Sequence, residues 1–353
     1  MGLTGHPLPG GSSLFPLVSF FLTIERILKV SNILIIKLGA LGDVVMSTSL
    51  IKEIQSFHSK DNLFLLTVKP FDKIFRNRDK LTVHTIERKG IYNTLHTIAW
   101  IRKYKFETVY DLQSNDRSGL YCALSGIGRR VGNHPRYPYN IHPKDAYTGQ
   151  CHIYKRMLTV LDSAGIHSKA QAPSLPVSKE EKHHVSTWIS ENKLVENNFI
   201  IIHAGGSKHH PEKRWPYFQQ LAEIFSAEGK IIVWVGGDDD LEINASLSSV
   251  TGINACNQFT FSELAELGRH ASFAITNDSG PMHILSCADI PVYAFFGPTN
   301  WRRSHATGQQ ENVISAQNVC NLPQGNNKIF RPVSLELISV EFVVNRLVSD
   351  GVL

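Results

Sequence analysis

The chain has 353 residues, with 36 Lys and Arg against 31 Asp and Glu, a formal net charge of +5 and a pI near 8.8. That length suits two domains, each large enough for its own core, and a modest charge without a basic stripe interleaved with aromatics argues against nucleic acid as a partner. The five cysteines, Cys122, Cys151, Cys256, Cys287 and Cys320, are odd in number and lack Cys-x-x-Cys spacing, which argues against both a disulfide framework and structural zinc.

Residues 1–31 form a Gly-, Pro- and Ser-rich N-terminal extension. Its apolar run, Leu14 to Ile24, is too short to span a bilayer, has no Lys or Arg before it and has no small-residue cleavage site, so it does not read as a secretory signal. It reads as a disordered tail or a start-site artefact, with an interfacial anchor as the alternative. The first regular element is an apolar strand, Asn32 to Lys37, which runs into Leu38-Gly39-Ala40-Leu41-Gly42-Asp43-Val44-Val45. A strand feeding a Gly-x-x-Gly-Asp turn and then a helix is the first βα unit of a doubly wound sheet. Gly39 and Gly42 let the backbone turn tightly and leave room for a ligand, and Asp43 stands at the helix start either as a cap or as a catalytic carboxylate. The segment has neither Gly-x-Gly-x-x-Gly nor Gly-Lys-Ser/Thr, so it is not a dinucleotide fingerprint or a P-loop.

Further strands are predicted at Leu63 to Val68, Leu81 to Ile86 and Thr108 to Leu112, separated by helices such as Ser47 to Phe57 and Leu95 to Tyr104. This alternation predicts a Rossmann-like domain over residues 32–172. Ala172-Pro173-Ser174-Leu175-Pro176 breaks the periodicity ahead of a polar helix, and residues 173–198 read as a linker and hinge helix. A second alternating half, residues 199–333, has strands at Phe199 to His203, Lys230 to Val235, Phe273 to Thr276 and Val292 to Phe296. A last helix is predicted over Ser334 to Val348 within residues 334–353; packing back on the first domain is one option for it, which the residues themselves do not mark.

The second half carries two turns with chemical content. After Phe199 to Ile202 the chain reads His203-Ala204-Gly205-Gly206-Ser207, then Lys213-Arg214-Trp215-Pro216. Lys213 and Arg214 are placed to neutralise a diphosphate or to form a solvated basic loop, while Trp215 and Pro216 fix the following helix, Tyr217 to Glu228. After the strand at Phe273, Asp278 or Ser279 is expected to cap a helix that has Pro281 in its first turn; its free N–H groups suit an anion, although the same residues are ordinary capping chemistry. His283 lies just inside that helix, in reach of a bound phosphate or of a packing partner. None of the sixteen histidines, His203, His209, His210 and His283 included, forms a His-x-x-x-His pair or has a carboxylate at ligand spacing, so no metal site is expected.

Taken together, IIKLGALGDVV, HAGG followed by KRWP, and TNDSGPMHILSCADIPVYAFFGPT resemble the ADP-heptose:lipopolysaccharide heptosyltransferases, glycosyltransferase family nine, from about Asn32 to the C-terminal helix. The resemblance implies a GT-B architecture, an α/β fold in which two Rossmann-like domains with parallel sheets face each other across a cleft. It implies inverting transfer of a heptose from ADP-heptose to a lipopolysaccharide inner-core acceptor, without an obligatory cofactor or metal. Asp43 then matches the family's base, and Lys213 balances the departing diphosphate. Gly205, Gly206, Asp278, Ser279, Gly280 and His283 form the donor diphosphate seat; Gly205 and Gly206 stand where some members have hydroxyl residues, so backbone N–H groups would serve there. Asp238 and Glu242 are the candidates for the adenosine ribose, or else an acidic helix start. Gly39, Gly42, Asp111, Gln113 and Arg117 fall on the acceptor side, Arg117 toward a lipid phosphate or acidic sugar or in a surface ion pair.

The basic pairs Arg129-Arg130, Lys155-Arg156 and Arg302-Arg303, with Arg136, suit lipid A phosphates on the inner leaflet. The implied protein is a cytoplasmic monomer, peripherally associated with the inner membrane. A same-fold transferase using another nucleotide-sugar or acceptor, and a nucleotide-sugar-binding protein without transfer activity, are the competing readings.

Overall fold

The computed structural model describes residues 30–87, 90–145, 151–168, 172–319 and 330–353. Residues 1–29 of the extension, with Leu14 to Ile24, and Cys320 lie outside the described residues, whereas the whole of the predicted linker, 173–198, lies within them. Two sheets organise the chain, and every pairing in both is parallel. The first has the order β3-β2-β1-β4-β5, from β1 (Asn32–Ile36), β2 (Asn62–Thr67), β3 (Thr82–Thr85), β4 (Thr108–Asp111) and β5 (Arg129–Val131). The second has the order β11-β10-β9-β6-β7-β8, from β6 (Phe199–His203), β7 (Ile231–Trp234), β8 (Ile253–Asn254), β9 (Phe273–Asn277), β10 (Val292–Phe296) and β11 (Val313–Ser315). In each sheet the first strand sits at the centre and the order reverses beside it, between β1 and β4 and between β6 and β9. Those are the topological switch points at which open α/β sheets bind ligands.

The central strands are continuous apolar runs, Ile33–Ile36 and Phe199–Ile202, because helices cover both faces of a parallel sheet. The helices between and beyond the strands are α1 (Leu41–Phe57), α2 (Ile91–Lys103), α3 (Asp116–Leu124) and α4 (Ile153–Ser163) in the first half. In the second they are α5 (Lys179–Glu191), α6 (Phe218–Ala227), α7 (Leu241–Val250), α8 (Phe261–Gly268), α9 (Gly280–Leu285), α10 (Trp301–Ser304), α11 (Ala316–Val319) and α12 (Val340–Ser349). Helix α1 begins six residues before the predicted Ser47, directly after the glycine turn. Its polar residues Ser47 and Thr48 are buried, and their hydroxyls donate to the carbonyls of Val44 and Val45, each at 2.7 Å, which lets the helix be enclosed on almost all sides.

The proline-rich stretch is tied to the first half: Ser174 N donates to Thr48 Oγ1 at 3.1 Å, and Asn77 Nδ2 donates to the Pro176 carbonyl at 3.1 Å. Helix α5 then starts on a Ser178/Glu181 capping box and leans on α8 of the second half, with His184 Nδ1 2.7 Å from Glu263 Oε1. The C-terminal segment corrects the expectation. It is a short 3-10 turn, Leu335–Leu337, followed by α12, and it packs on the second sheet rather than back on the first domain. The Ile338 carbonyl accepts from Trp215 Nε1 at 2.8 Å, Val343 and Leu347 join the Trp215–Phe218 core, and Asp350 accepts from Tyr293 Oη at 2.9 Å.

Candidate functional site

At the first switch point the chain leaves β1 through Lys37 and turns at Gly39, whose φ of 137° is the region that favours glycine. Gln113, from the loop after β4, holds this turn: its Oε1 accepts from Leu38 N at 2.9 Å and from Gly39 N at 3.2 Å. Asp111 organises that loop in turn. It accepts from Gln113 N at 3.0 Å and Ser114 N at 2.8 Å, and from Tyr139 Oη. Asp111 is fully buried, so it braces the turn and is not presented to an acceptor; burial pushes its carboxyl above the usual range, with these hydrogen bonds opposing the shift. Gln113 likewise braces, with Arg156 Nη2 donating to its carbonyl at 2.7 Å. Arg117 lies half-buried in the first turn of α3. The outcome is that Asp43, in the first turn of α1, stands at the carboxyl end of the sheet with its side chain 24% exposed. Behind it lies Lys37, completely buried, with Nζ 3.5 Å from Asp43 Oδ2.

At the second switch point, Asn277 ends β9 and clamps two loops. Its Nδ2 donates to the carbonyls of Ala204 and Gly205, each at 2.9 Å, and its Oδ1 accepts from Trp215 N at 3.0 Å. The clamp brings the Lys213 loop beside the turn before α9. Lys213 Nζ donates to Asp278 Oδ2 at 2.8 Å, and Thr299 Oγ1 donates to the same oxygen at 2.7 Å. Asp278 therefore aims the lysine; as an anion it does not itself attract a phosphate. Arg214 Nη2 donates to the Gly206 carbonyl at 2.6 Å, a loop-bracing role.

Three expectations for this seat are corrected. Ser279 occupies the N-cap position of α9 but makes no capping hydrogen bond; its Oγ lies 3.1 Å from His203 Nδ1 and donates to the Asn277 carbonyl. Asp278 does not cap the helix either, being held by Lys213 and Thr299. The Gly206 N–H, expected to face a diphosphate, donates instead to Asp240 Oδ1 at 2.9 Å. Asp240 is the buried acid of the Asp238–Asp240 run: its Oδ2 also accepts from Gly237 N at 3.0 Å and lies 3.2 Å from His203 Nε2. A methyl group on Gly205 would fall 1.8 Å from Asp240 Oδ1, which explains that glycine. Asp238 and Glu242, by contrast, are exposed at the start of α7, Asp238 accepting from Asn257 Nδ2 at 2.7 Å.

The two halves meet where α1 and α9 start. A Cβ on Gly42 would lie 2.2 Å from His283 Cδ2, and one on Gly280 would lie 2.4 Å from Leu41 Cδ2, so each glycine admits a residue of the opposite helix. His283 is thus buried against α1. Burial pulls its pKa down to about 4, with Asp278 and Asp43 opposing the shift, and its Nδ1 has no hydrogen-bond partner among the described residues. His152, at the start of α4, is pulled down to about 4 by burial and by the charge of the His305 ring, with the His305 carbonyl, 3.0 Å from its Nε2, opposing the shift. Asp43 from the first half and Asp278, which holds Lys213, from the second both act on His283 at this meeting point. No group of three or more His, Cys, Asp or Glu suited to a metal ion occurs among the described residues, and no helix among them is long and apolar enough to cross a membrane.

Residues 96–333 match the sequence profile of glycosyltransferase family 9 (heptosyltransferase). The chain belongs to this family. As a family 9 glycosyltransferase it is 23% identical to lipopolysaccharide heptosyltransferase 1 of Campylobacter coli over 344 residues, covering 90% of this chain and 99% of that relative. Among solved structures, it is similar to the glycosyl transferase family 9 protein of Veillonella parvula DSM 2008, with a TM-score of 0.76, 22% identity, and 91% and 97% of the two chains covered. It is also similar to the ADP-heptose lps heptosyltransferase II of E. coli, with a TM-score of 0.68, 20% identity, and 90% and 98% covered. The fold of the family 9 enzyme is accordingly GT-B, and its membership makes it a glycosyltransferase of the heptosyltransferase family.

Sequence reasoning missed four residues that build this site: Lys37, Asp240, Asn277 and Thr299. Lys37 had a signal, as a lone charge ending an apolar strand. Asp240 could not be separated by pattern from Asp238 and Asp239. Asn277 and Thr299 act through contacts across loops, for which a linear motif has no mark.

Proposed function

We propose that this family 9 glycosyltransferase catalyses inverting transfer of a heptose from ADP-heptose to an inner-core sugar of a lipid A-linked lipopolysaccharide acceptor, without a metal. What supports the reading is that Asp43 and the Asp278-held Lys213 each follow the first strand of their own sheet at its switch point, with the starts of α1 and α9 in contact between them. The acceptor hydroxyl attacks the anomeric carbon on the face opposite the diphosphate. Its oxygen forms the new glycosidic bond, the bond from the anomeric carbon to the phosphate oxygen breaks, and the electron pair leaves on ADP.

Asp43 takes the hydroxyl proton late, as the alcohol becomes acidic in an oxocarbenium-like transition state. Lys213 meets the charge growing on the diphosphate. Asp278 and Thr299 hold the lysine pointed into the cleft beforehand, which removes much of the ordering cost of its long side chain. Ser279 and Gly280, at the start of α9, line the same seat. A relative named as a lipopolysaccharide heptosyltransferase, aligned over 90% of this chain, supports the heptose and the acceptor class. The enzyme would act at the cytoplasmic face of the inner membrane, as a monomer meeting a lipid-anchored acceptor.

The test is a donor screen read by nucleotide release, with a deep-rough lipopolysaccharide as acceptor. ADP-heptose should be turned over, with ADP released in step with loss of the acceptor. Turnover only with another nucleotide-sugar would replace the donor assignment, and tight ADP binding without turnover on several core acceptors would make the protein a binding protein.

A further inference from the structure

One charged group in the cleft has no part in the chemistry above. Lys37 follows the central strand, is 0% exposed between Ile36 and Leu38, and its Nζ makes no hydrogen bond among the described residues. A sheet position enclosed in this way suits an aliphatic side chain, and an ammonium buried there is strongly unfavourable unless an anion faces it. The ion partner in place is Asp43, with Oδ2 at 3.5 Å. We propose that Lys37 is a positioning residue for the transfer reaction: its side chain fixes Asp43 from the protein side through Oδ2, sets a basic group against the carboxylate, and leaves Oδ1 to accept the acceptor's proton. The inference rests on the reading of Asp43 as the base. Lys37 exchanges no proton in the step; the hydroxyl proton ends on Asp43 and the electron pair of the broken bond ends on ADP.

The surroundings fit such a role. Burial pushes the Lys37 ammonium below its ordinary pKa, and Asp43 opposes this most strongly, with Asp111 on the same side and the Arg156 guanidinium against it. The other titratable groups acting near Asp43 are His283 from α9 and His152 from the start of α4, both held neutral at pH 7 by burial. The basic group in contact with Asp43 is therefore Lys37. Asp43, with part of its side chain in the cleft, connects this buried group to the reacting hydroxyl.

The experiment is a double-mutant cycle between Lys37→Met and Asp43→Asn, with ADP affinity and a thermal melt recorded for every variant. In K37M, kcat should fall about 100-fold, donor KM and ADP affinity should stay within about twofold because the diphosphate seat is untouched, and the acid limb of the kcat profile should move to higher pH. In the D43N background, K37M should cost no further rate. Lys37→Gln carries the same expectation if methionine is not accepted, and failure of both variants to fold would assign Lys37 to the core and overturn the proposal. A wild-type rate and pH profile in K37M, or an equal loss in both backgrounds, would also overturn it. The base reading is tested separately by D43N alone: an active D43N overturns that reading, whereas an inactive D43N with an unaffected K37M overturns only the role of Lys37.

Discussion

The first sheet passes from β1 into α1 through the four residues Lys37–Ala40, whereas the second passes from β6 into α6 through the fourteen residues Ala204–Tyr217. Both are the first βα link of a Rossmann-like half, and they present their charges in different ways. The short link fixes Asp43 on the opening turn of a seventeen-residue helix whose N-terminal part is enclosed, so the carboxylate is held by rigid structure. The long link carries Lys213 out on a loop and returns it only through side-chain ties, from Asp278, Thr299 and Asn277. One wall of the cleft is set by secondary structure and the other by a hydrogen-bond network. A network of that kind can reorganise when a diphosphate competes for the lysine.

The difference should appear first in the size and type of kinetic damage. Asp43→Asn should lower kcat by about 10³–10⁴-fold while ADP affinity changes little; comparable loss of ADP affinity would mean that the first wall also holds the donor. Lys213→Ala should lose about 10²–10³-fold in kcat/KM, with kcat and donor KM both affected, and steady-state kinetics showing a pure KM change would limit the lysine to ground-state binding. Gly42→Ala tests the contact between the walls. The added methyl meets His283, so the melting free energy should drop by about 1–3 kcal/mol and kcat should fall with it; an unchanged melt would show that the helices can part without cost.

Stability should depend on pH as well. His283 and His152 have folded pKa values lowered to about 4, against about 6.5 when unfolded. Between pH 6.5 and 4 the unfolded chain binds more protons than the folded one, so stability decreases on acidification across that window, by on the order of a few kcal/mol. Urea denaturation at pH 7 and pH 5 should show the loss, and His283→Asn should flatten the slope. An equal slope in that variant would put the pH dependence elsewhere.

Much of this architecture was legible in the sequence, for a physical reason. Continuous apolar runs such as Phe199 to His203 and Val292 to Phe296 mark buried parallel strands, and both occur at the predicted residues. The short edge strands β5, β8 and β11 carry two or three residues each and have too little periodicity to announce themselves. Helix α1 was read too short because Ser47, Thr48 and Ser49 look like a solvated start, yet all are buried. At the site, glycine turns and isolated charges pointed to Asp43 and Lys213. What motifs could not convey is which atoms the partners already occupy. Gly206 has the composition of a phosphate loop while its N–H is held by Asp240, and Ser279 stands at a cap position while its hydroxyl faces His203. The packing place of the C-terminal helix has no mark in the sequence for a similar reason, since the anchoring bond from Trp215 to the Ile338 carbonyl spans 123 residues.

The paired glycines at the meeting of α1 and α9 give the molecule something like the stop of a caliper. Nothing about Gly42 or Gly280 attracts the opposite jaw; each merely lacks the carbon that would hold it off, so approach ends where backbone meets the ring of His283 or the branch of Leu41. The closest separation of the base from the leaving group is then set by hard contact rather than by the strength of any bond. A ligand can prop these jaws wider, but none can draw them nearer than two absent methyl groups permit.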